Sequence, residues 1–327
     1  TLCGDDPNAL EACDDNTNAG ANMRFRLNPE LHISDNLRVL AQVDMLDNVI
    51  LGSTPEGYAN QPGASGGYAV VGRGGYSPLG AFASTQWASS AGQNSLNDSV
   101  VVKRAWGEYM TPVGQLRFGR MPSHWGLGML ANAGDGYDSD YQSTADRLMF
   151  VTGIKKYDIY FAAGWDFVNE GATSASLNER QGQPYDLGQS DDVDQYVFVA
   201  VRRKNPELAR LELARGGVVV NGGTYFVYRT QTLANDESGQ GNTAALGQSS
   251  NNVANGYVRR GAEAFIPDVW FQLLYDKFRF ELEAAAILGS IQNTNRTGGT
   301  GSDYDNPADE TDPGWNLRQF GLTTQTE

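Results

Sequence analysis

Charged side chains alternate with apolar ones in several short stretches, and this arrangement limits the chemistry that they can do. The basic members are Arg24, Arg26, Arg38, Arg117 and Arg120, and the acidic members are Asp44, Glu281 and Glu283. Guanidinium groups that face carboxylates across water set up a transverse electric field, which orients polar solutes. The same charges can instead pair with neighbours along one surface and neutralise one another. The sequence leaves both interpretations open.

Four aspartates lie close together in one glycine-bearing stretch. They are Asp135, Asp138, Asp140 and Asp146. Carboxylate oxygens are ligands that Ca²⁺ prefers, so a calcium site within residues 135–146 is one hypothesis. The spacing does not match the twelve-residue calcium loop and lacks its terminal Glu. A solvated acidic loop is therefore the favoured interpretation.

Enzymatic chemistry finds little support in the residues. His32 and His124 are the two histidines, and neither has a cysteine or a second histidine at zinc-binding spacing. The glycines between Gly216 and Gly223 lack the spacing of a phosphate-binding loop. We expect no catalytic residues and no enzymatic activity.

Two cysteines, Cys3 and Cys13, lie near the start of the chain in an acidic segment with little apolar cover. An exposed thiol pair persists best as a disulfide in an oxidising compartment. We predict a disulfide between them, and two unrelated thiols are the alternative.

The elements that position these charges are indicated by a period of two, the repeat of a β-strand with two different faces. Met23, Phe25 and Leu27 alternate with Arg24 and Arg26. Late in the chain, Phe278, Phe280 and Leu282 alternate in the same way with Arg279, Glu281 and Glu283. The same reasoning predicts eleven strands, at 23–33, 37–45, 98–111, 114–121, 145–154, 156–168, 192–204, 210–232, 257–275, 278–288 and 314–327.

The connections between these strands alternate in length. Short turns are predicted at 34–36, 111–114, 155–157, 204–207 and 275–277, and long polar segments at 52–97, 122–144, 169–191, 233–256 and 293–313. This rhythm is typical of an antiparallel transmembrane β-barrel with short periplasmic turns and long extracellular loops. We predict an all-β fold with one barrel domain over 1–327, in which 1–22 is an external loop and the sequence is an internal portion of a larger barrel. Residues 121–128 can fold inward and narrow the lumen, with Trp125 as an anchor.

Composition excludes other classes of protein. The net charge is −15, with 39 acidic and 24 basic residues and no long basic run, so we expect no nucleic-acid partner. No apolar run approaches the roughly 20 residues of a membrane-spanning helix.

Three stretches resemble a known family. They are Met23–Arg38, Gln42–Asn48 with Leu51–Pro55, and Leu116–Gly128, and they are similar to porin-like outer-membrane proteins of myxobacteria and their relatives. The resemblance covers much of residues 20–165. It implies a large outer-membrane β-barrel without a settled substrate, and it supplies no catalytic residues.

The sequence therefore predicts a passive or weakly selective channel for small polar solutes or ions, with weak cation preference from its acidic loops. Its expected location is the outer membrane of a Gram-negative bacterium, in contact with lipid and lipopolysaccharide, and a homo-oligomer is compatible with this class. The alternative is a barrel anchor that displays large loops for surface binding or a structural role.

Overall fold

The structure, a computed structural model, describes residues 21–51, 98–136, 139–171, 186, 188–235, 257–292 and 314–327. Cys3, Cys13 and Asp138 lie outside the described residues. The disulfide therefore stays a prediction, as does the part of Asp138 in a calcium site.

The described residues form twelve β-strands. These are β1 (Asn22–Leu27), β2 (Glu30–Ser34), β3 (Leu37–Ile50), β4 (Val100–Thr111), β5 (Gly114–Pro122), β6 (Thr144–Ile154), β7 (Ile159–Asn169), β8 (Val193–Arg202), β9 (Val218–Asn235), β10 (Tyr257–Tyr275), β11 (Phe278–Ile291) and β12 (Trp315–Thr326). They make one antiparallel sheet in the order β1-β3-β4-β5-β6-β7-β8-β9-β10-β11-β12, and β2 also pairs with β3. Within the described residues the sheet is not closed. The all-β class and the antiparallel order are confirmed.

The strand predicted at 23–33 is divided in two by Asn28 and Pro29. Proline has no backbone N–H, so it cannot donate a ladder hydrogen bond at this position. Its carbonyl oxygen still accepts from the amide of Ala41 at 3.0 Å. This interruption explains why the structure has one more strand than the sequence predicted.

A helix replaces the tight turn predicted at 204–207 and the first part of the strand predicted at 210–232. Helix α1 (Pro206–Ala214) begins after Asn205, whose side-chain oxygen accepts from the amide of Glu207 at 2.9 Å. Asn at the cap and proline at the first position both favour helix initiation. The strand prediction was wrong here because the helix signal was overlooked. Among the described residues, no helix is long and apolar enough to cross a membrane.

The chain divides into two compact units, where the sequence predicted one domain. The first comprises Thr1–Glu30 and Leu40–Ala105, and the second comprises Leu31–Val39 and Trp106–Glu327. In the second unit, the polar face of the sheet carries buried side chains such as Asp166 and Glu283, which are 1% and 0% exposed. Its apolar face carries large exposed side chains such as Phe198 and Val269, at 51% and 47%.

The first unit shows the same inversion by itself. Asp44 is fully buried, whereas Phe25 is 57% exposed, as are Met23 and Leu27 to a lesser degree. At the other end of the chain, Phe278 is exposed and Glu281 is buried. The predicted alternation of faces is therefore confirmed in both places.

Candidate functional site

A row of hydrogen-bonded polar side chains crosses four strands on the polar face of the second unit. Arg147 of β6 is opposite Asp166 of β7, Asp166 is opposite Gln195 of β8, and Gln195 is opposite Arg229 of β9. Arg147 Nη2 donates to Asp166 Oδ2 at 2.7 Å, and Gln195 Nε2 donates to the same oxygen at 2.6 Å. Arg229 Nη2 donates to Gln195 Oε1 at 2.6 Å. This polar row satisfies buried charges by direct contact between neighbouring strands.

The arginines and carboxylate predicted in the first unit also pair along the sheet. Arg26 binds Asp44 with two hydrogen bonds of 2.7 and 2.8 Å, and Arg24 forms an ion pair with Asp47. Two parallel N–H···O bonds are the strong geometry for a guanidinium and a carboxylate. Arg24, Arg26 and Asp44 are therefore brought together, and their charges are balanced locally.

In the second unit, Arg38 and Arg117 share one carboxylate that the sequence analysis missed. Arg38 Nη2 lies 2.6 Å from Glu108 Oε2, and Arg117 Nε lies 3.3 Å from Glu108 Oε1. Glu281 pairs with Arg279 and accepts from the indole N–H of Trp270 at 3.0 Å. These contacts favour the alternative in which the charges neutralise one another along the surface. The alternation through β4 could have revealed Glu108.

Arg120 does not lie on the polar face, which corrects its assignment beside Arg117. The register of β5 and β6 is continuous, with Phe118 opposite Leu148 and Arg120 opposite Asp146. Because residues two apart on a strand share a face, Arg120 lies on the apolar face with Phe118. Arg120 Nη2 binds Asp146 Oδ2 at 2.6 Å there. Arg117 and Arg120 are three residues apart, and residues at that spacing point to opposite faces of a regular strand. The period of two therefore already excluded a shared face for these two arginines.

The connection between β5 and β6 folds into a compact segment. We call residues 123–136 and 139–143 the covering segment. Its two ends are tied by Ser123 N, which donates to Ser143 O at 2.9 Å, and by Ser143 N, which donates to Asn132 O at 2.7 Å. A turn within it is closed by Trp125 N, which donates to Ala131 O at 3.0 Å. The segment therefore carries its own hydrogen-bonded frame.

Trp125 anchors the covering segment on the polar face of β9 and β10. Its ring stacks on Tyr225 with centroids 5.6 Å apart and meets Trp270 edge-on at 6.3 Å. The three aromatic residues form a buried cluster with Val197 and Val227. Trp125 anchors this segment as the sequence predicted, although its partners were not foreseen, and the narrowing of a lumen stays a prediction.

Two buried carboxyl groups of the sheet accept hydrogen bonds from the covering segment. They belong to Asp268 and Glu283, which we call the carboxyl pair. Trp125 Nε1 donates to Asp268 Oδ1 at 3.1 Å. The amides of Leu127 and Met129 both donate to Glu283, at 2.5 Å and 3.2 Å. Glu283 therefore lies on the polar face, as predicted, but it holds a loop. Asp268 was missed because its partner in the chain is more than a hundred positions away.

Gly126 permits this close approach. Its φ is +53°, and a Cβ built there would lie 2.6 Å from Glu283 Oε2. Both the left-handed backbone and the lack of space require glycine at this position.

The described members of the predicted calcium set, Asp135, Asp140 and Asp146, are not gathered into one group. Asp146 is engaged by Arg120, and Asp135 and Asp140 are exposed elsewhere in the covering segment. Among the described residues, the acidic groups close enough to share a metal are Glu170, Asp186 and Asp192, within 4.8 Å of one another. Burial, followed by the repulsion of nearby carboxylates led by Asp186, raises the pKa of Asp192 to about 6.

The chain matches no model of a known protein family and no curated protein sequence.

Proposed function

We propose that the chain forms the wall of an outer-membrane β-barrel of a Gram-negative bacterium and acts as a porin-like channel for small polar solutes. Closure of the sheet into a barrel is part of this proposal. The observation that carries it is the inverted distribution of side chains, with charges buried on one face and large apolar groups exposed on the other.

This distribution suits a lipid environment better than water. The exposed apolar side chains include Phe161, Phe198, Val220, Val269 and Phe271 on successive strands of the second unit. An exposed apolar surface of this extent would promote aggregation in water, because monomeric soluble proteins rarely expose contiguous patches beyond a few hundred Å². Against lipid the same surface is satisfied, and alternation of lipid-facing with lumen-facing residues is the pattern of membrane barrels.

A row of aromatic residues crosses the apolar face in continuous register, near the strand ends in β7 and β8 and midway along the longer β9 and β10. Trp165 neighbours Tyr196 at 6.4 Å between ring centroids, and Tyr196 neighbours Tyr228 at the same distance. Tyr228 neighbours Phe265 at 4.9 Å. Rings with a polar tip favour the headgroup level of a bilayer, so this row supports an interfacial girdle.

The covering segment supplies the means of restricting passage. It lies on the polar face that would line the lumen, and it reaches from β5 and β6 to β10 and β11. Passage would then be limited by the width that this segment leaves, with no chemical step. Exposed carboxylates such as Asp135 and Asp140 would make the external mouth weakly attractive to cations.

The test is electrical. The purified chain is reconstituted into a planar bilayer, and its conductance is measured at constant salt and then in a salt gradient. We expect stable steps and a reversal potential of the sign that indicates cation preference. A reversal potential of the opposite sign would contradict the cation preference but would still support a channel.

A silent bilayer would instead favour the alternative, a barrel that anchors surface loops. The covering segment is the observation that gives this alternative weight, since a fully obstructed lumen would not conduct. Protection of the reconstituted chain from added protease separates inserted but silent protein from protein that failed to insert. Failure to insert would overturn both functions.

A further inference from the structure

The carboxyl pair under the covering segment contains one buried oxygen to which no donor described so far forms a hydrogen bond. Asp268 and Glu283 are 1% and 0% exposed, and they are diagonal neighbours on one face of the sheet, because Glu283 is opposite Trp270, two residues after Asp268. Asp268 Oδ2 is buried without a hydrogen-bond partner if both groups are ionised, as judged over the described residues. Two carboxylates in contact, both charged and both without water, would repel strongly. A proton between them removes the repulsion and satisfies the oxygen.

The hydrogen bonds around the pair indicate where that proton belongs. Glu283 already accepts two backbone amides, from Leu127 and Met129. Asp268 accepts a single indole N–H on Oδ1, and its other oxygen has no donor. A proton on Asp268 Oδ2 would give this oxygen a hydrogen bond, donated to Glu283.

The charged groups around the pair are occupied elsewhere. On β11, Glu281 is paired with Arg279, and near β9 the polar row pairs Arg147 with Asp166. Arg203 lies over the Trp270 ring at 6.0 Å, and Tyr225 is directly opposite Asp268 on β9. In the covering segment, His124 Nδ1 accepts from the amide of Ala133 at 3.4 Å. On β12, the residues opposite β11 at this level are Gly321 and Thr323, which carry no charge.

We propose that Asp268 and Glu283 form a proton-binding site that holds the covering segment on the polar face. Loss of the proton at alkaline pH leaves two buried negative charges, and the segment is released because water must then enter to solvate them. If the chain is the channel proposed above, release widens the passage. The inference rests on that function only for its effect on conductance.

The variant that isolates the proton is Asp268→Asn. Its amide donates to Glu283 as the protonated acid does, and its oxygen still accepts from Trp125, but it cannot lose the proton. The matched control is Asp276→Asn, in the short turn that joins β10 and β11, where the left-handed φ of 49° suits Asn as well as Asp.

Hydrogen exchange of the amides in the covering segment is followed in detergent between about pH 5 and about pH 9, with correction for the intrinsic exchange rate. In the wild type and in Asp276→Asn, we expect the corrected rate to rise about tenfold or more at the alkaline end. In Asp268→Asn, we expect a rate that is low and independent of pH. A flat wild-type profile would overturn the proposal, as would a variant Asp268→Asn that follows the wild type.

Bilayer conductance over the same pH range separates this inference from the proposed function. Conductance that rises with pH in the wild type and stays constant in Asp268→Asn supports both. A silent bilayer together with pH-dependent exchange removes the channel and keeps the proton site. Steady conductance together with flat exchange keeps the channel and removes the proton site. Should Asp268→Asn fail to fold, Glu283→Gln tests the same point, because it too prevents the pair from carrying two charges.

Discussion

The polar row of β6 to β9 and the carboxyl pair of β10 and β11 lie on the same face, but their charges are balanced in different ways. In the polar row, Arg147 and Asp166 neutralise each other between adjacent strands, and Gln195 and Arg229 extend the contact. In the carboxyl pair, the donors come from a connection that is distant in sequence. The first arrangement belongs to the sheet alone, whereas the second depends on a loop that can leave. If the chain is the proposed channel, stability and restriction of passage belong to different parts of one surface.

The largest expected effect comes from breaking the polar row. Asp166→Asn leaves Arg147 buried without a counter-charge, and removal of one partner from a buried ion pair costs about 3 kcal/mol or more of the free energy of unfolding. Urea titration in detergent, followed by tryptophan fluorescence, measures it. Asp146→Asn is the control, because its ion pair with Arg120 is exposed and contributes less than about 1 kcal/mol. Equal losses in the two variants would show that the polar row is not the stabilising element.

A second substitution sharpens the comparison from the side of the loop. Gly126→Ala places a Cβ against Glu283 and forces a left-handed backbone on alanine, which costs about 1–3 kcal/mol of segment attachment. Hydrogen exchange should become faster in the covering segment and remain unchanged in β6 to β9. Gly136→Ala is the control, since the nearest atom to its Cβ would be Ser139 Cβ at 3.6 Å. An unchanged exchange rate in Gly126→Ala would contradict the close packing.

Trp125→Phe retains an aromatic ring but removes the indole N–H that reaches Asp268. We expect the covering segment to be held less firmly by about 1 kcal/mol, the usual contribution of one hydrogen bond. The same exchange measurement reports it. Trp165→Phe removes an exposed indole N–H bound to Asp194 at 2.9 Å and should leave the segment as it was. If exchange in the covering segment is the same in both variants, the hydrogen bond of the Trp125 indole does not help to hold the segment.

The smallest effect concerns Asp192, outside both regions. Its pKa is raised to about 6 in the folded chain, above the ordinary value near 3.8, because burial and the neighbouring carboxylates disfavour its charge. The unfolded chain therefore loses this proton first, and stability falls as the pH rises from about 4 through about 6. The loss is less than about 1 kcal/mol, because the side chain is only partly buried and its charge is screened. Asp192→Asn should flatten this part of the stability profile in acid titration, and a profile of unchanged slope would contradict the assignment.

Much of the sheet could be predicted from the sequence because alternation is a local signal. The strand at 257–275 has the predicted limits, and the faces of Phe280 and Glu281 follow from the period of two. Helix α1 was missed because the apolar residues around it were assigned to a strand. Asn205 and Pro206 are residue types that favour the start of a helix. Arg120 was placed on the wrong face because it was grouped with Arg117 by its charge, although residues three apart on a strand point to opposite faces.

The carboxyl pair could not be read from the sequence for a different reason. Trp125 and Asp268 are 143 positions apart, and no local pattern states which strand a loop will meet. A glycine beside a tryptophan in residues 121–128 indicated that the loop turns, but its destination depends on tertiary packing. Asp268 itself resembles any other polar residue of an alternating strand.

The attachment of the covering segment to Glu283 uses backbone amides, so it does not depend on which side chains Leu127 and Met129 carry. Every amino acid except proline presents the same N–H at those two positions. The two hydrogen bonds themselves therefore put no requirement on the side chains at these positions other than the exclusion of proline. If the chain is the proposed channel, positions 127 and 129 are places where the chemistry of its passage can be altered while the attachment of the covering segment is kept.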